Sequence, residues 1–198
     1  MIIKYALITI AAYLLGSIPW AYFMGKWTRG IDIRQFGSGN VGFTNALRTI
    51  GKGPAIFVLI GDMSKGLIAV LLAKYFGNPA LATLAGLAVV TGHNYPIFLH
   101  FRGGKGAAAG FGALIALIPT VALLAIIVWG IIVMLTRYVS LGTIIGALTV
   151  PIASLILKEE PAYIVFGIIG ASFVIFKHHT NMIRLLHGTE NRIGQKAK

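Results

Sequence analysis

Apolar stretches close to the length of a membrane-spanning helix follow one another along most of this chain. They cover approximately residues 3–24, 54–74, 80–99, 107–118, 120–136, 139–157 and 161–176. A helix needs about 20 predominantly apolar residues to cross a bilayer. Only 11% of the 198 residues are charged, whereas soluble domains carry about 25%. The sequence therefore predicts an all-α integral membrane protein, with residues 1–198 forming one domain.

The distribution of positive charge predicts the orientation of the helices. The net charge is +12, and twelve of the 17 basic residues lie in three segments, 25–53, 100–106 and 177–198. Basic loops mark the cytoplasmic face of a membrane protein, so we expect the N-terminus outside and the C-terminus in the cytoplasm. Short loops between spans are poorly suited to nucleic acid, and none is expected as a partner. The absence of cysteine excludes disulfides and thiolate metal sites, and no metal or cofactor is predicted.

The number of crossings depends on how residues 107–136 are divided. Segments 100–106 and 177–198 can share one face only if an even number of crossings separates them. Dividing the stretch at Pro119 gives about seven helical elements and places Arg137 inside and residues 158–160 outside. The weakness is that residues 107–118 extend only ~18 Å as a helix, so a five-span arrangement is the runner-up.

The segment GSGNVGFTN, residues 37–45, combines bare backbone with short hydrogen-bonding side chains. Its glycines let backbone N–H groups approach a ligand closely, and a short helix predicted after it places Thr44 and Arg48 on one face. Cations and helix N-termini favour anions, so the segment is typical of a phosphate-binding loop, although a flexible interfacial loop is the alternative. The candidate binding residues are Ser38, Gly39, Asn40, Thr44, Asn45 and Arg48.

Two further segments carry the same chemistry. In GHNYPIFLHFRGGKG, residues 92–106, Lys105 follows two glycines, Gly103 and Gly104; the spacing is not that of a P-loop, and the cations could merely hold the loop in the cytoplasm. In KHHTNMIRLLHGTEN, residues 177–191, three polar side chains recur every third position and can share one broad helix face. They are His178, Asn181 and Arg184. Attraction of this helix to anionic lipid is the alternative.

Two charges inside the second apolar stretch are a separate signal. Asp62 and Lys65 are three residues apart, and charges within a span are expensive and usually paired. They form either a structural ion pair or part of the site. Gly16, near the end of the first stretch, is expected to allow close helix packing.

The three basic segments are predicted to lie on one face of the membrane. Each carries a cation together with glycine or asparagine, which indicates that the protein binds more than one phosphate group.

At this point a family resemblance emerges. The segments GSGNVGFTNALRTIG (37–51), GHNYPIFLHFRGGKGAAA (92–109) and KHHTNMIRLLHGTE (177–190) resemble the three motifs of the bacterial acyl-phosphate glycerol-3-phosphate acyltransferases, the PlsY family. GSIP at 16–19 and DMSKG at 62–66 also match. The chain departs from the family pattern at Ala107 and at His179, and the second departure leaves open which histidine matters.

The resemblance implies a multi-pass enzyme of the bacterial cytoplasmic membrane with its active site on the cytoplasmic face. Such an enzyme moves a fatty acyl group from acyl phosphate to the 1-hydroxyl of glycerol 3-phosphate and forms lysophosphatidic acid and phosphate. Membrane lipids surround it, no cofactor is needed, and no obligatory protein partner is expected. A small-anion transporter or channel is the alternative function, and a lipid-binding assembly protein is a third.

The predicted site follows from the motifs and the resemblance together. The catalytic candidates are Lys105, His178 and Asn181. Substrate-binding candidates beyond the first motif are His93, Gly103, Gly104 and Arg184. The general base is left open between His93, His178 and a phosphate of the substrate, and transfer is expected to be direct, without an acyl-enzyme.

Overall fold

The computed structural model describes residues 2–194, which contain ten α-helices, two 3-10 turns and no strand. Lys196 and Lys198 of the predicted basic tail lie outside the described residues. The helices are α1 (Ile2–Gly16), α2 (Trp20–Arg29), α3 (Phe43–Thr49), α4 (Lys52–Phe76), α5 (Pro79–Asn94), α6 (Ala107–Leu117), α7 (Pro119–Thr136), α8 (Val139–Ile156), α9 (Pro161–Lys177) and α10 (His179–Leu186). The predicted all-helical class is confirmed.

Several predicted boundaries hold because proline and glycine mark them. α5, α7 and α9 each begin with a proline in the first turn, a position that needs no backbone N–H donor. Two boundaries differ from the prediction. The first stretch is two helices, because residues 17–19 between them are not helical. The last of these residues is Pro19, and a proline disfavours helical geometry in the residue before it. α5 ends at Asn94 and not near residue 99, since Tyr95 precedes Pro96 and is therefore pushed out of the helical region.

The described part of the chain contains fewer helices long enough to span a membrane than the seven helical elements that the sequence predicted. Within residues 2–194, four segments are long and apolar enough to cross a membrane: the α1–α2 pair, α4, α7 and α8. The α9–α10 pair, bent by 57°, would make a fifth. α5 and α6 have only 16 and 11 residues. The structure thus supports four or five spans by length, and a count of seven stays a prediction.

Glycine brings the central helices into backbone contact. A Cβ atom on Gly66 of α4 would overlap the Ala109 carbonyl of α6, and one on Gly112 of α6 would overlap the Met63 carbonyl. Gly16 of α1 lies against the backbone of Val89 in α5 in the same way. Close packing through small residues is typical of membrane helices, and here it fixes the frame on which the loops are held.

The outer surface of the bundle is apolar. Large side chains such as Leu7 on α1, Phe57 on α4 and Met134 on α7 are each more than 60% exposed. Exposed apolar surface on this scale is costly in water and marks contact with another apolar phase. We therefore treat the long helices as membrane-spanning.

Candidate active site

The three motifs meet at one cavity of about 460 Å³. Ten of the predicted site residues line it: Ser38, Asn40, Thr44, Asn45, Arg48, His93, Lys105, His178, Asn181 and Arg184. The other three, Gly39, Gly103 and Gly104, are not among its lining residues. The motifs predicted that these segments converge, although Ser38 and Arg184 are 146 residues apart in the chain. The role of each residue stays a prediction.

The first motif is shaped by one buried amide. Asn45 is 1% exposed; its side-chain oxygen accepts from the backbone N–H of Ser38 at 2.9 Å, and its NH₂ donates to the Phe36 carbonyl at 3.1 Å. Gly37 takes a φ of +60° directly beside that amide oxygen, where a side chain would clash. Asn45 therefore uses its polar atoms to fold the loop, and the fold presents Ser38 to the cavity.

The second motif is pressed onto the end of α5. The backbone N–H of Gly104 donates to the His93 carbonyl at 3.0 Å, and a Cβ on Gly103 or Gly104 would overlap His93. The two glycines thus allow the loop to lie flat against the helix. This packing places Lys105 at the cavity wall, whereas Arg102 is exposed and does not line the cavity.

The third motif is organised by a carboxylate that the sequence analysis did not single out. Glu190 is 8% exposed and accepts hydrogen bonds from Ser140 Oγ at 2.8 Å, Asn181 Nδ2 at 2.7 Å and Arg184 Nε at 2.7 Å. Asn181 Oδ1 in turn accepts from Lys105 Nζ. A continuous polar chain therefore joins the second motif to the third. Glu190 lay within the quoted motif, but nothing in the sequence pointed to Ser140.

The protonation states of Lys105 and Glu190 decide the charge of this hydrogen-bonded network. Burial and, to a smaller extent, the positive charge of Arg184 lower the pKa of Lys105 to about 8, while Glu190 opposes the shift. Burial alone would raise the pKa of Glu190, but hydrogen bonds from Asn181, Arg184 and Ser140 outweigh it and hold that pKa below its ordinary value. Near neutral pH the site thus contains an ionised carboxylate and a predominantly charged lysine.

The structure distinguishes the two adjacent histidines. His178 is 6% exposed and lines the cavity, whereas His179 is exposed and does not. His178 Nδ1 lies 2.7 Å from the Val174 carbonyl. A carbonyl can only accept a hydrogen bond, so Nδ1 carries the hydrogen and Nε2 is left as the acceptor nitrogen.

Asp62 and Lys65 form a buried ion pair, and His93 joins it. Their charged atoms are 2.8 Å apart, and His93 Nδ1 lies 3.3 Å from the same Asp62 oxygen. Lys65 also donates to the Ile18 carbonyl at 3.0 Å, at the break between α1 and α2. The cluster satisfies a backbone group that the break exposes, and Asp62 and His93 also contribute to the cavity wall.

An apolar arm extends the cavity away from the polar groups. We use this term for the part between α6, α7, α8 and α9, whose lining includes Phe111, Leu114, Trp129, Val150, Phe166 and Gly170. Cavities of a few hundred Å³ with a few convergent polar groups are typical ligand sites. This cavity can hold an anionic head at one end and a long apolar chain at the other.

Comparison with known proteins identifies the family to which this chain is similar. Residues 6–188 match the family model described as glycerol-3-phosphate acyltransferase. Proteins of that name from Desulforamulus reducens and from Thermoanaerobacter pseudethanolicus are 50% and 46% identical, with 96% and 98% of each chain covered.

Two crystal structures of PlsY, an integral membrane glycerol 3-phosphate acyltransferase, are also similar to this chain. One is the glycerol 3-phosphate form and the other the lysophosphatidic acid form; their TM-scores are 0.93 and 0.90, at 37% identity over 96% of both chains. The family model, the sequence identity to these relatives and the shared fold show that the chain belongs to the glycerol-3-phosphate acyltransferase family.

Proposed function

We propose that the protein transfers a fatty acyl group from acyl phosphate to the 1-hydroxyl of glycerol 3-phosphate, forming lysophosphatidic acid and inorganic phosphate. The observation that carries the proposal is a single cavity that joins a cationic, hydrogen-bonding end to a long apolar arm. A transporter would need a path through the bilayer, and the family match favours the enzyme over that alternative.

The polar end has enough donors for two phosphate groups. Arg48, Lys105 and Arg184 supply positive charge from three different segments, and Ser38 and Asn40 supply shorter donors. Charge-assisted hydrogen bonds are about twice as strong as neutral ones. Asn45, Gly103 and Gly104 act on binding indirectly, because they hold the loops that carry these groups.

The chemistry we infer is direct transfer. The 1-hydroxyl oxygen bonds to the acyl carbonyl carbon, the bond from that carbon to the phosphate oxygen breaks, and inorganic phosphate leaves. Lys105 neutralises the leaving phosphate, Asn181 orients Lys105, and His178 Nε2 accepts the hydrogen of the attacking hydroxyl. A phosphate oxygen of the substrates is the other available base. His93 is poorly placed for that role because its ring is held between Asp62 and Gly104.

The proposal includes the setting of the reaction. The site faces the cytoplasm of a bacterial inner membrane, the helices act as one acyltransferase domain, and no obligatory protein partner is required. The basic character of all three motif segments supports this placement. A cavity that is polar at the interface and apolar below it can take one substrate from water and the other from the bilayer.

Purified protein in lipid nanodiscs tests the function. With acyl phosphate and glycerol 3-phosphate together, we expect phosphate release matched by lysophosphatidic acid formation, measured colorimetrically and by mass spectrometry. Omitting the acceptor should abolish release. An equal rate with an acyl-coenzyme A donor would refute the assignment of acyl phosphate, and release that ignores glycerol 3-phosphate would refute acyl transfer to it.

A further inference from the structure

The depth of the apolar arm can be read from the helices that line it. His178, directly after the last residue of α9, lies at the polar end, and Phe166 on α9 lines the arm 12 residues earlier. On α8, Ser140 lies at the polar end and Val150 lines the arm ten residues later. At the helical rise these separations correspond to ~18 Å and ~15 Å. The two helices therefore reach the end of the arm at a similar depth.

Buried side chains from four helices close the arm at that depth. Leu114, Ala125, Val150 and Phe166 come from α6, α7, α8 and α9, and each is at most 8% exposed. All four belong to the principal apolar core of the bundle. The arm therefore ends against packed protein.

Phe166 is the largest of these four side chains, and its ring crosses from α9 towards α5. A Cβ atom on Gly86 of α5 would lie 2.9 Å from Phe166 Cε2, so the ring rests directly on that glycine. The adjoining edge of the ring faces Gly170, whose Cβ position lies 3.9 Å from Cζ and 4.0 Å from Cε1. Gly170 also lines the arm one turn nearer the polar end, where the lack of a side chain leaves space for a ligand.

We propose that Phe166 is a specificity-determining residue, whose ring stops the end of the acyl chain and limits the length of donor that the enzyme uses. A saturated chain advances roughly 1.3 Å per carbon, because carbon–carbon bonds of about 1.5 Å form a zigzag. An arm of 15–18 Å then holds approximately 12–14 carbons beyond the reacting carbonyl, so donors of about 14 carbons fit and donors of 18 do not. This inference rests on the acyltransferase function proposed above.

Acyl phosphates of 10 to 20 carbons provide the test, with kcat/KM for transfer to glycerol 3-phosphate measured for each length. For the unaltered protein we expect kcat/KM to be greatest near 14 carbons and to fall steeply by 18. Phe166→Ala opens space at the end of the arm. It should raise the kcat/KM of the 18-carbon donor relative to that of the 14-carbon donor about tenfold, since each added buried methylene favours binding several-fold. Phe166→Leu leaves a larger side chain at the end of the arm than Phe166→Ala does, and should therefore raise this ratio less.

The opposite change should shorten the arm. Gly170→Leu places a side chain in it and should lower the ratio of the 14-carbon to the 10-carbon donor about tenfold. Ile168→Ala is the control, because Ile168 lies on the same helix but is 49% exposed on the outer surface; it should leave both ratios unchanged. Each ratio compares two donors on one protein sample, so a loss of folded protein cancels.

The outcomes separate this inference from the function on which it rests. Normal transfer with an unchanged length profile in the Phe166 and Gly170 variants would overturn the role of Phe166 and show that the chain leaves the arm sideways into lipid. Absence of transfer to glycerol 3-phosphate for every donor length, already in the unaltered protein, would overturn the proposed function and this inference with it.

Discussion

At the scale of single residues, Lys105 combines partial burial with a direct link to the third motif. Lys105→Ala removes a charge-assisted contact to phosphate, worth roughly 1.5–3 kcal/mol, and should reduce kcat/KM at least tenfold, since about 1.4 kcal/mol is a factor of ten. Arg48→Ala should cost a similar factor. Lys52→Ala, at an exposed position outside the cavity, is the control. Equal losses in all three variants would indicate unfolding or a general loss of attraction to lipid.

The same lysine predicts a pH dependence. Because the pKa of Lys105 is lowered to about 8, the side chain is charged below that pH and loses its charge as the pH rises through it. We expect kcat/KM to fall as the pH rises above about 8, measured at constant ionic strength. In Lys105→Arg this fall should disappear, since guanidinium stays protonated. A profile identical in both proteins would assign the titration to another group.

Glu190 offers a prediction about stability. Its carboxylate accepts hydrogen bonds from one side chain on α8 and two on α10, and Glu190→Gln removes the charge that holds Arg184. We expect a loss of roughly 1.5–3 kcal/mol, seen as a lower thermal unfolding midpoint in detergent, together with reduced activity. Glu159→Gln, in the loop between α8 and α9, should change neither. An unaltered midpoint in Glu190→Gln would show that the network does not stabilise the fold.

Ser38 is the residue that would carry the acyl group if transfer proceeded through an acyl-enzyme. It lines the cavity, but the donor is already an activated mixed anhydride, so a covalent intermediate would bring little advantage. Incubation with radiolabelled acyl phosphate and no acceptor, quenched in acid, should therefore leave the protein unlabelled. Stoichiometric label that is released by glycerol 3-phosphate, and that is missing in Ser38→Ala, would replace direct transfer by an acyl-enzyme.

At the scale of helices, the contact of α4 with α6 is the most constrained. Gly112 lies against the Met63 carbonyl and leaves no space for a side chain. Gly112→Val should destabilise the protein by ~1–3 kcal/mol, the usual cost of overpacking. Gly130→Val on α7 is the matched control, because a Cβ there has open space. Thermal unfolding in detergent compares the two, and equal midpoints would contradict the packing described here.

The helices also show what the sequence can and cannot predict. α4 was expected near 54–74 and occupies Lys52–Phe76, because a long, predominantly apolar run bounded by glycine and proline is a local signal. The break before α2 was noticed only as an interruption of one span. Its cause is partly remote, since Lys65 in α4 binds the Ile18 carbonyl. Such pairing across 47 residues has no local signature in the sequence.

The site follows the same division. The cationic and glycine-rich positions were predictable because phosphate chemistry needs those residue types in close succession. Two contacts were not predictable from the sequence: Asn45 binds the backbone of its own loop, and Ser140 donates to Glu190. Each contact depends on which groups the fold brings close together. Sequence motifs thus predicted which segments meet, and the structure added how they are held together.

At the scale of the whole molecule, the orientation in the membrane is the main expectation. Residues 77–79 and 158–160 are predicted outside and residue 52 inside, because the motif segments are basic. The chain contains no cysteine, so single cysteines give no background. Cysteine introduced at Asn78 or Glu160, both exposed, should react with an impermeant thiol reagent in intact cells, whereas cysteine at Lys52 should react only after permeabilisation. Labelling of Lys52→Cys alone in intact cells would invert the orientation.

The position of Glu190 late in the chain has a consequence for how the enzyme is made. Ribosomes deliver the N-terminal helices first, at ~5–20 residues per second, so the apolar arm can form before Glu190 reaches Ser140, 50 residues away in the chain. We expect a chain without this segment to hold a fatty chain in the arm but not to transfer the acyl group, because Glu190 no longer holds Asn181 and Arg184 in place. With acyl phosphate and glycerol 3-phosphate both present, a protein truncated after residue 186 should accordingly form no lysophosphatidic acid; formation at the full rate would show that the late segment is dispensable.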